Sequence, residues 1–201
     1  MHTVLNPATQ VDQAFYYIFG VSLVLLAAIT VTMILFVIRY RRSRNPHPAD
    51  IRGDWRVELL WTVIPSVIAL SMFYFGWSSY TGLRHVPEGA IEIDVYGQQF
   101  SWIFVYPNDK ETENELVVPL GTPVKLNVTS YDVIHSFYLP AFRIKVDAVN
   151  GMTNYAWFLP DRLGSFFFQC AELCGEGHAD MTGTLRIVPQ EEYEKWLQTG
   201  Y

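Results

Sequence analysis

Two long stretches without a charged side chain, Phe15 to Ile38 and Leu59 to Trp77, most limit what this chain can become. A helix needs about 20 apolar residues to cross the hydrocarbon core of a bilayer; the first run exceeds that and the second just meets it. Each reads as a spanning helix, with Pro65 a place where the second can kink. The first run is too long for the apolar core of a signal peptide. Arg39-Tyr-Arg-Arg-Ser-Arg44 follows it, where a cleavage site would need small residues. Between the runs, Arg39, Arg41, Arg42, Arg44, Arg52 and Arg56 face Asp50 and Asp54, with Glu58 directly before the second run. A short arginine-rich loop stays in the cytoplasm, so both chain ends are expected on the periplasmic or outer side of a bacterial-type cell membrane. The tail Met1 to Ala14 has one acidic residue and no Lys or Arg, which suits it to crossing.

Beyond Pro87 the pattern changes. Ile91-Glu-Ile-Asp-Val-Tyr96 alternates apolar and polar residues, the period of a half-buried strand. Further β-prone runs are Leu116 to Val118, Val124 to Thr129, Tyr155 to Phe158, Ser165 to Gln169 and Thr184 to Val188, with Gly and Pro between them. Short strands so punctuated predict a β-sandwich or barrel of roughly 100 residues, closed by a short helix over Glu191 to Leu197. The expected division is 1–86 for the tail and transmembrane hairpin, and 87–201 for an all-β outside domain. From Glu88 to Tyr201 there are 16 acidic residues against 7 Lys and Arg, a balance of −9. That acidity solubilises a surface or offers a basic protein partner a landing face, and with a net charge of −6 overall it argues against nucleic acid.

The chemistry is concentrated in Cys170-Ala-Glu-Leu-Cys174-Gly-Glu-Gly-His178-Ala-Asp-Met181, directly after the strand ending at Gln169. Gly175 and Gly177 allow the tight backbone that a ligand loop requires. A second imidazole, His135, stands upstream in Asp132-Val-Ile-His-Ser-Phe137. Thiolate, thioether and imidazole donors together favour copper over magnesium or calcium. A mononuclear blue-copper site would leave one Cys over. Two thiolates bridging two coppers, each with one imidazole, use both Cys and both His, with Met181 and a backbone carbonyl such as that of Glu172 as weak ligands. A structural zinc site of Cys170, Cys174, His135 and His178 is a second option and leaves Met181 idle. A disulfide between Cys170 and Cys174 is a third, and it explains neither His178 nor Met181.

Over nearly its whole length the chain resembles cytochrome c oxidase subunit II of the two-helix type. The resemblance rests on the hairpin, on Gly97-Gln-Gln-Phe-Ser-Trp102, on Asp132-Val-Ile-His-Ser136 and on the Cys-x-Glu-x-Cys-Gly-x-x-His-x-x-Met motif. It implies a cupredoxin-like (Greek-key) outside domain carrying the mixed-valence dinuclear copper centre CuA. The implied CuA ligands are His135, Cys170, Glu172 through its carbonyl, Cys174, His178 and Met181. It also implies a magnesium ion at the boundary with subunit I, held by the Glu172 carboxylate, and a proton-uptake role for Glu58 at the cytoplasmic end of the second helix. The implied partners are subunit I, with its haems and oxygen chemistry, subunit III, membrane lipid, and cytochrome c or another periplasmic donor. The implied function is acceptance of electrons for the reduction of oxygen to water, coupled to proton translocation. One segment departs from the family pattern Gly-His-Gln-Trp-x-Trp, whose first Trp is where electrons come in. Phe100 takes its place and Gln98 that of the His, while Trp102 is kept. Phe100 and Trp102 are the candidates for that role here. A Cys-x-x-Cys-His haem motif is absent, so the donor is expected to be a separate protein. The full ligand set argues against a quinol oxidase subunit; a copper-bearing nitric oxide reductase subunit and a membrane-anchored copper carrier are the alternatives.

Overall fold

The computed structural model describes residues 6–47, 50 and 52–199. The start of the N-terminal tail (1–5), loop positions 48, 49 and 51, and positions 200–201 at the end of the outside domain lie outside the described residues. The chain forms two compact units, 12–79 and a second made of 80–201 with 1–11.

Both helices are longer than the charge-free runs, because capped polar turns extend them. Helix α1 spans Pro7–Arg39 and helix α2 spans Trp55–Arg84. Asn6 caps α1, its side-chain oxygen accepting the Ala8 N–H at 3.1 Å while Pro7 takes the first helical position. Asp54 caps α2 in the same way, accepting the Arg56 N–H at 2.9 Å. Arg39 and Arg84 lie in the last turns, where a cation suits the carbonyl end of the helix dipole. α2 continues through Pro65 as one helix. The apolar stretches of both are unburied within the chain, although Tyr17 meets Ser71 at 2.6 Å and Phe75 at 4.5 Å between ring centroids. Helices that are apolar around their circumference need a surrounding apolar phase, which a bilayer supplies.

The second unit is a cupredoxin-like sandwich of two five-stranded sheets. Its strands are β1 (Ile91–Gln98), β2 (Ser101–Val105), β3 (Glu111–Glu113), β4 (Glu115–Pro119), β5 (Val124–Ser130), β6 (His135–Leu139), β7 (Ile144–Ala148), β8 (Asn154–Phe158), β9 (Gly164–Cys170) and β10 (Thr182–Val188). One sheet runs β3-β2-β1-β5-β8 and the other β4-β10-β9-β6-β7. β1 pairs β5, and β4 pairs β10, in parallel; the other neighbours are antiparallel. All six anticipated β-runs form strands, while β2, β3, β6 and β7 were not anticipated. Strand alternation sends Ile93, Val95, Val124, Leu126 and Val128 inward from one sheet, and Phe137, Leu139, Phe168 and Leu185 from the other. Trp102, Phe104, Phe137 and Phe168 form an aromatic chain through the core, with centroid spacings of 5.0–6.0 Å.

Helix α3 (Gln190–Gln198) closes the domain through Tyr193 and Trp196, the latter 5.0 Å from Tyr106 between rings. Lys110 finishes this helix from a distance. Its ammonium donates to the carbonyls of Trp196 (2.5 Å) and Thr199 (2.8 Å) and lies 4.0 Å from the Trp196 ring centroid. Charged hydrogen bonds of this kind contribute about 1.5 kcal/mol or more. Lys110→Met is expected to accelerate amide exchange in 190–198 about tenfold, with the β5 amides unchanged; equal protection in both proteins would count against this anchor.

Candidate metal centre

The same alternation that builds the core delivers two donors to one end of it. In β9, Phe168 and Cys170 share the inner face, and in β6, His135 shares it with Phe137. The register pairs Phe137 with Cys170, so the imidazole lies one inward position beyond the thiol. His135 is fully buried and Cys170 nearly so. The Trp102 ring meets the His135 ring edge-on at 5.9 Å, which joins the aromatic core to the site.

The remaining donors come from the loop between β9 and β10. This loop closes on itself at its base, where the Cys170 N–H donates to the Met181 carbonyl at 2.9 Å. Ala171 N–H donates to Ser136 O at 2.9 Å, tying the loop to β6. A 3-10 turn over His178–Asp180 then turns the chain so that buried Met181 meets the cluster. The Cys170 and Cys174 sulfurs are 3.9 Å apart and both thiols are free. Nδ1 of His135 is 3.9 Å from the Cys170 sulfur, and Nδ1 of His178 is 3.5 Å from the Cys174 sulfur. Met181 Sδ is 3.8 Å from the Cys174 sulfur, and the Glu172 carbonyl oxygen is 3.2 Å from that of Cys170. His135, Cys170 and Cys174 form a cluster whose ligand atoms all lie within 4.8 Å of one another. Every residue singled out for this centre in the sequence is therefore linked to it by a short contact.

Electrostatics define what the cluster favours. Burial, together with the neighbouring Cys170, pushes the Cys174 thiol up to about 11, because two thiolates this close repel without a cation between them. A soft metal ion removes that penalty and displaces the protons. Asp132 Oδ1 lies 2.7 Å from Nε2 of His135, so the imidazole donates there and leaves the Nδ1 lone pair facing the sulfurs. Burial acts to raise the Asp132 carboxyl. Hydrogen bonds from His135 and from the Gln99 and Val133 N–H groups outweigh it and hold the group below its usual range. The donor chemistry thus fits a thiophilic metal.

Asp132 has no task in the motif that contains it; an acid three residues before a candidate ligand is the sequence signal that identifies it. Gln99, beside it in space, gave no such signal. Phe100 is 37% exposed at the tip between β1 and β2, whereas Trp102 is fully buried in the core and does not reach the surface. The Glu172 side chain is exposed. Glu58 is exposed in the first turn of α2.

Residues 6–76 match the family described as cytochrome C oxidase subunit II, transmembrane domain, and residues 108–188 match its periplasmic domain. Cytochrome c oxidase subunit 2 of Cereibacter sphaeroides is 30% identical over 234 residues, covering 95% of this chain and 77% of that protein. The chain belongs to the cytochrome c oxidase subunit II family. A probable cytochrome c oxidase subunit 2 of Rickettsia prowazekii is 31% identical, covering 97% of this chain and 71% of that protein. The crystal structure of the periplasmic domain of subunit II (CoxB) of Bradyrhizobium japonicum superposes with a TM-score of 0.55 at 36% identity, covering 57% of this chain and 95% of that one. A further match, at TM-score 0.52 and 35% identity, is a mixed-disulfide intermediate between a thioredoxin-like protein and subunit II of cytochrome c oxidase; it covers 57% of this chain and 92% of that one. Membership makes this chain a membrane-anchored part of an oxidase complex and implies a copper centre, for which the thiol and imidazole cluster is the fitting location.

Proposed function

We propose that this chain is the electron-accepting subunit of its oxidase. In this reading His135, Cys170, Cys174, His178 and Met181, with the carbonyl of Glu172, hold the dinuclear copper centre CuA. The observation that carries the reading is the unbroken series of contacts of 3.2–3.9 Å joining all these donors at one end of the core. A zinc site would leave buried Met181 beside the Cys174 sulfur without a task, and a thioether favours copper. When bound, the copper pair supplies a one-electron centre whose geometry changes little between its oxidation states. The chain's own part is rigidity and exclusion of water: Asp132 fixes the His135 ring, β6 and β9 fix two donors by register, and the aromatic core seals the inner side.

The partners follow from family membership, read together with charge and topology. The arginine-rich loop orients the sandwich and both chain ends to the periplasmic side, where an acidic domain attracts a basic donor such as cytochrome c. Subunit I takes the electrons onward for the reduction of oxygen, and subunit III completes the complex. The exposed Glu172 carboxylate suits a magnesium ion at the boundary with subunit I, a hard cation for a hard donor. Glu58 is exposed at the cytoplasmic end of α2 and serves proton uptake. The mixed-disulfide relative supports a maturation partner as well. A thioredoxin-like dithiol would reduce a Cys170–Cys174 disulfide to two thiols and be oxidised to its own disulfide, readying the loop for copper.

Three measurements test this. Copper-loaded full-length protein is expected to hold two coppers per chain and give a seven-line paramagnetic resonance pattern; a four-line signal with one copper, or none, would exclude CuA. Glu58→Gln is expected to slow turnover and proton pumping of the assembled oxidase by at least several-fold with the copper spectrum intact, and unchanged turnover would remove Glu58 from the pathway. Electrons are expected to arrive through Phe100, so Phe100→Trp should alter only the rate of donor oxidation. Loss of the copper spectrum in that variant would instead make the ring structural.

A further inference from the structure

The CuA ligands come from only two places, β6 with its preceding loop (His135) and the β9–β10 loop (Cys170 to Met181). At their bases these are joined by sheet pairing and by the Ala171 N–H to Ser136 O bond. The far side of the ligand loop, where Cys174 sits, is held differently. A two-residue turn, Gln99 and Phe100, connects β1 to β2, with Gln98 and Ser101 paired below it. From this tip the Gln99 side-chain amide donates to the Cys174 carbonyl at 2.6 Å. The backbone N–H of the same residue donates to Asp132 Oδ2 at 2.8 Å, and Asp132 Oδ1 holds His135. One residue thus grips the thiolate loop with its side chain and the imidazole loop with its main chain.

The fit around this tip is close. A Cβ on Gly175 would lie 2.8 Å from the Gln99 amide nitrogen, and one on Gly177 would lie 2.5 Å from the Phe100 ring. Gly175 also has φ of +141°, open to glycine and strained for other residues. The loop is therefore moulded against the hairpin tip, and its glycines are required by that contact as well as by its own turns.

We infer that Gln99 is a positioning residue of the copper centre, setting the distance between the His135 side and the Cys174 side through its simultaneous bonds to Asp132 and the Cys174 carbonyl. The inference rests on the CuA reading above and adds a residue that touches no metal. Its main-chain bond survives substitution, so the side-chain amide is the part that can be tested in isolation. Without the amide, Cys174 loses a restraint that its short, glycine-flanked loop does not replace. One hydrogen bond of ordinary net strength corresponds to about a fivefold change in an equilibrium or rate.

The test uses the copper-loaded full-length protein in detergent, with copper loss to excess chelator and the copper hyperfine pattern as readouts. Gln99→Met keeps the length and removes the donor; Gln99→Lys keeps a donor that can reach the carbonyl. Gln99→Met is expected to lose copper about fivefold faster with an altered hyperfine splitting, and Gln99→Lys to stay within about twofold of the parent. A Gln99→Met protein identical to the parent in both readouts would overturn the inference. So would equal acceleration in both variants, which would reduce Gln99 to a packing residue. A parent that binds no copper pair sinks the CuA reading itself, whereas a normal parent with an indifferent Gln99 sinks only this inference.

Discussion

The pairing of Phe137 with Cys170 across β6 and β9 is the constraint on which the site depends. Side chains alternate along a strand with a period of two, so this pairing fixes the inward direction of both Cys170 and His135. A slip of one residue would turn the thiol and the imidazole to opposite faces of the sheet, and would also expel Phe168 from the aromatic core. Core and metal centre are therefore one problem in register. The hydrophobic burial that selects the register places the donors as a by-product, before any metal is present.

Around that fixed pair the polar interactions do a second kind of work. Buried His135 has its tautomer settled by Asp132, and Asp132 in turn is satisfied by the Gln99 and Val133 N–H groups. Each group in the series answers the hydrogen-bonding demand of the one before it, which is what a low-dielectric site requires of a polar network. The membrane unit shows the opposite economy of means. Its helices carry few polar contacts along their apolar lengths, and their ends are set by the caps at Asn6 and Asp54 and by arginines near the interfaces.

Much of this was legible in the sequence because it is written in periodicity and spacing. The charge-free runs gave the helices, the alternation in 91–96 and 124–129 gave β1 and β5, and the spacing from Cys170 to Met181 marked the loop whose thiols meet His135. Part of what escaped has physical reasons; β7, Ile144–Ala148, alternates and was readable. β6, in His135–Leu139, and β2, in Ser101–Val105, have most of their residues buried, so neither alternates apolar with polar. β3 is only three residues, Glu-Thr-Glu, and owes its extended form to pairing with β2. Both helices run past the apolar stretches because caps and polar turns outside those stretches prolong them. Gln99 was invisible because its role is defined by residues 33 and 75 positions away, a relation that only folding creates.

The ligand loop faces two ways. Cys170, Cys174 and Met181 turn into the domain, while Glu172, Leu173 and Glu176 are exposed, Leu173 being 78% exposed directly before the buried Cys174. Inward positions answer to the metal and tolerate little change. Leu173 and Glu176 answer instead to whatever approaches the domain, while Glu172 answers to the cation proposed for its carboxylate. A change of redox partner can therefore be met at Leu173 and Glu176 without replacing a buried donor, so that partner choice and metal chemistry rest on separate letters of the same twelve-residue word.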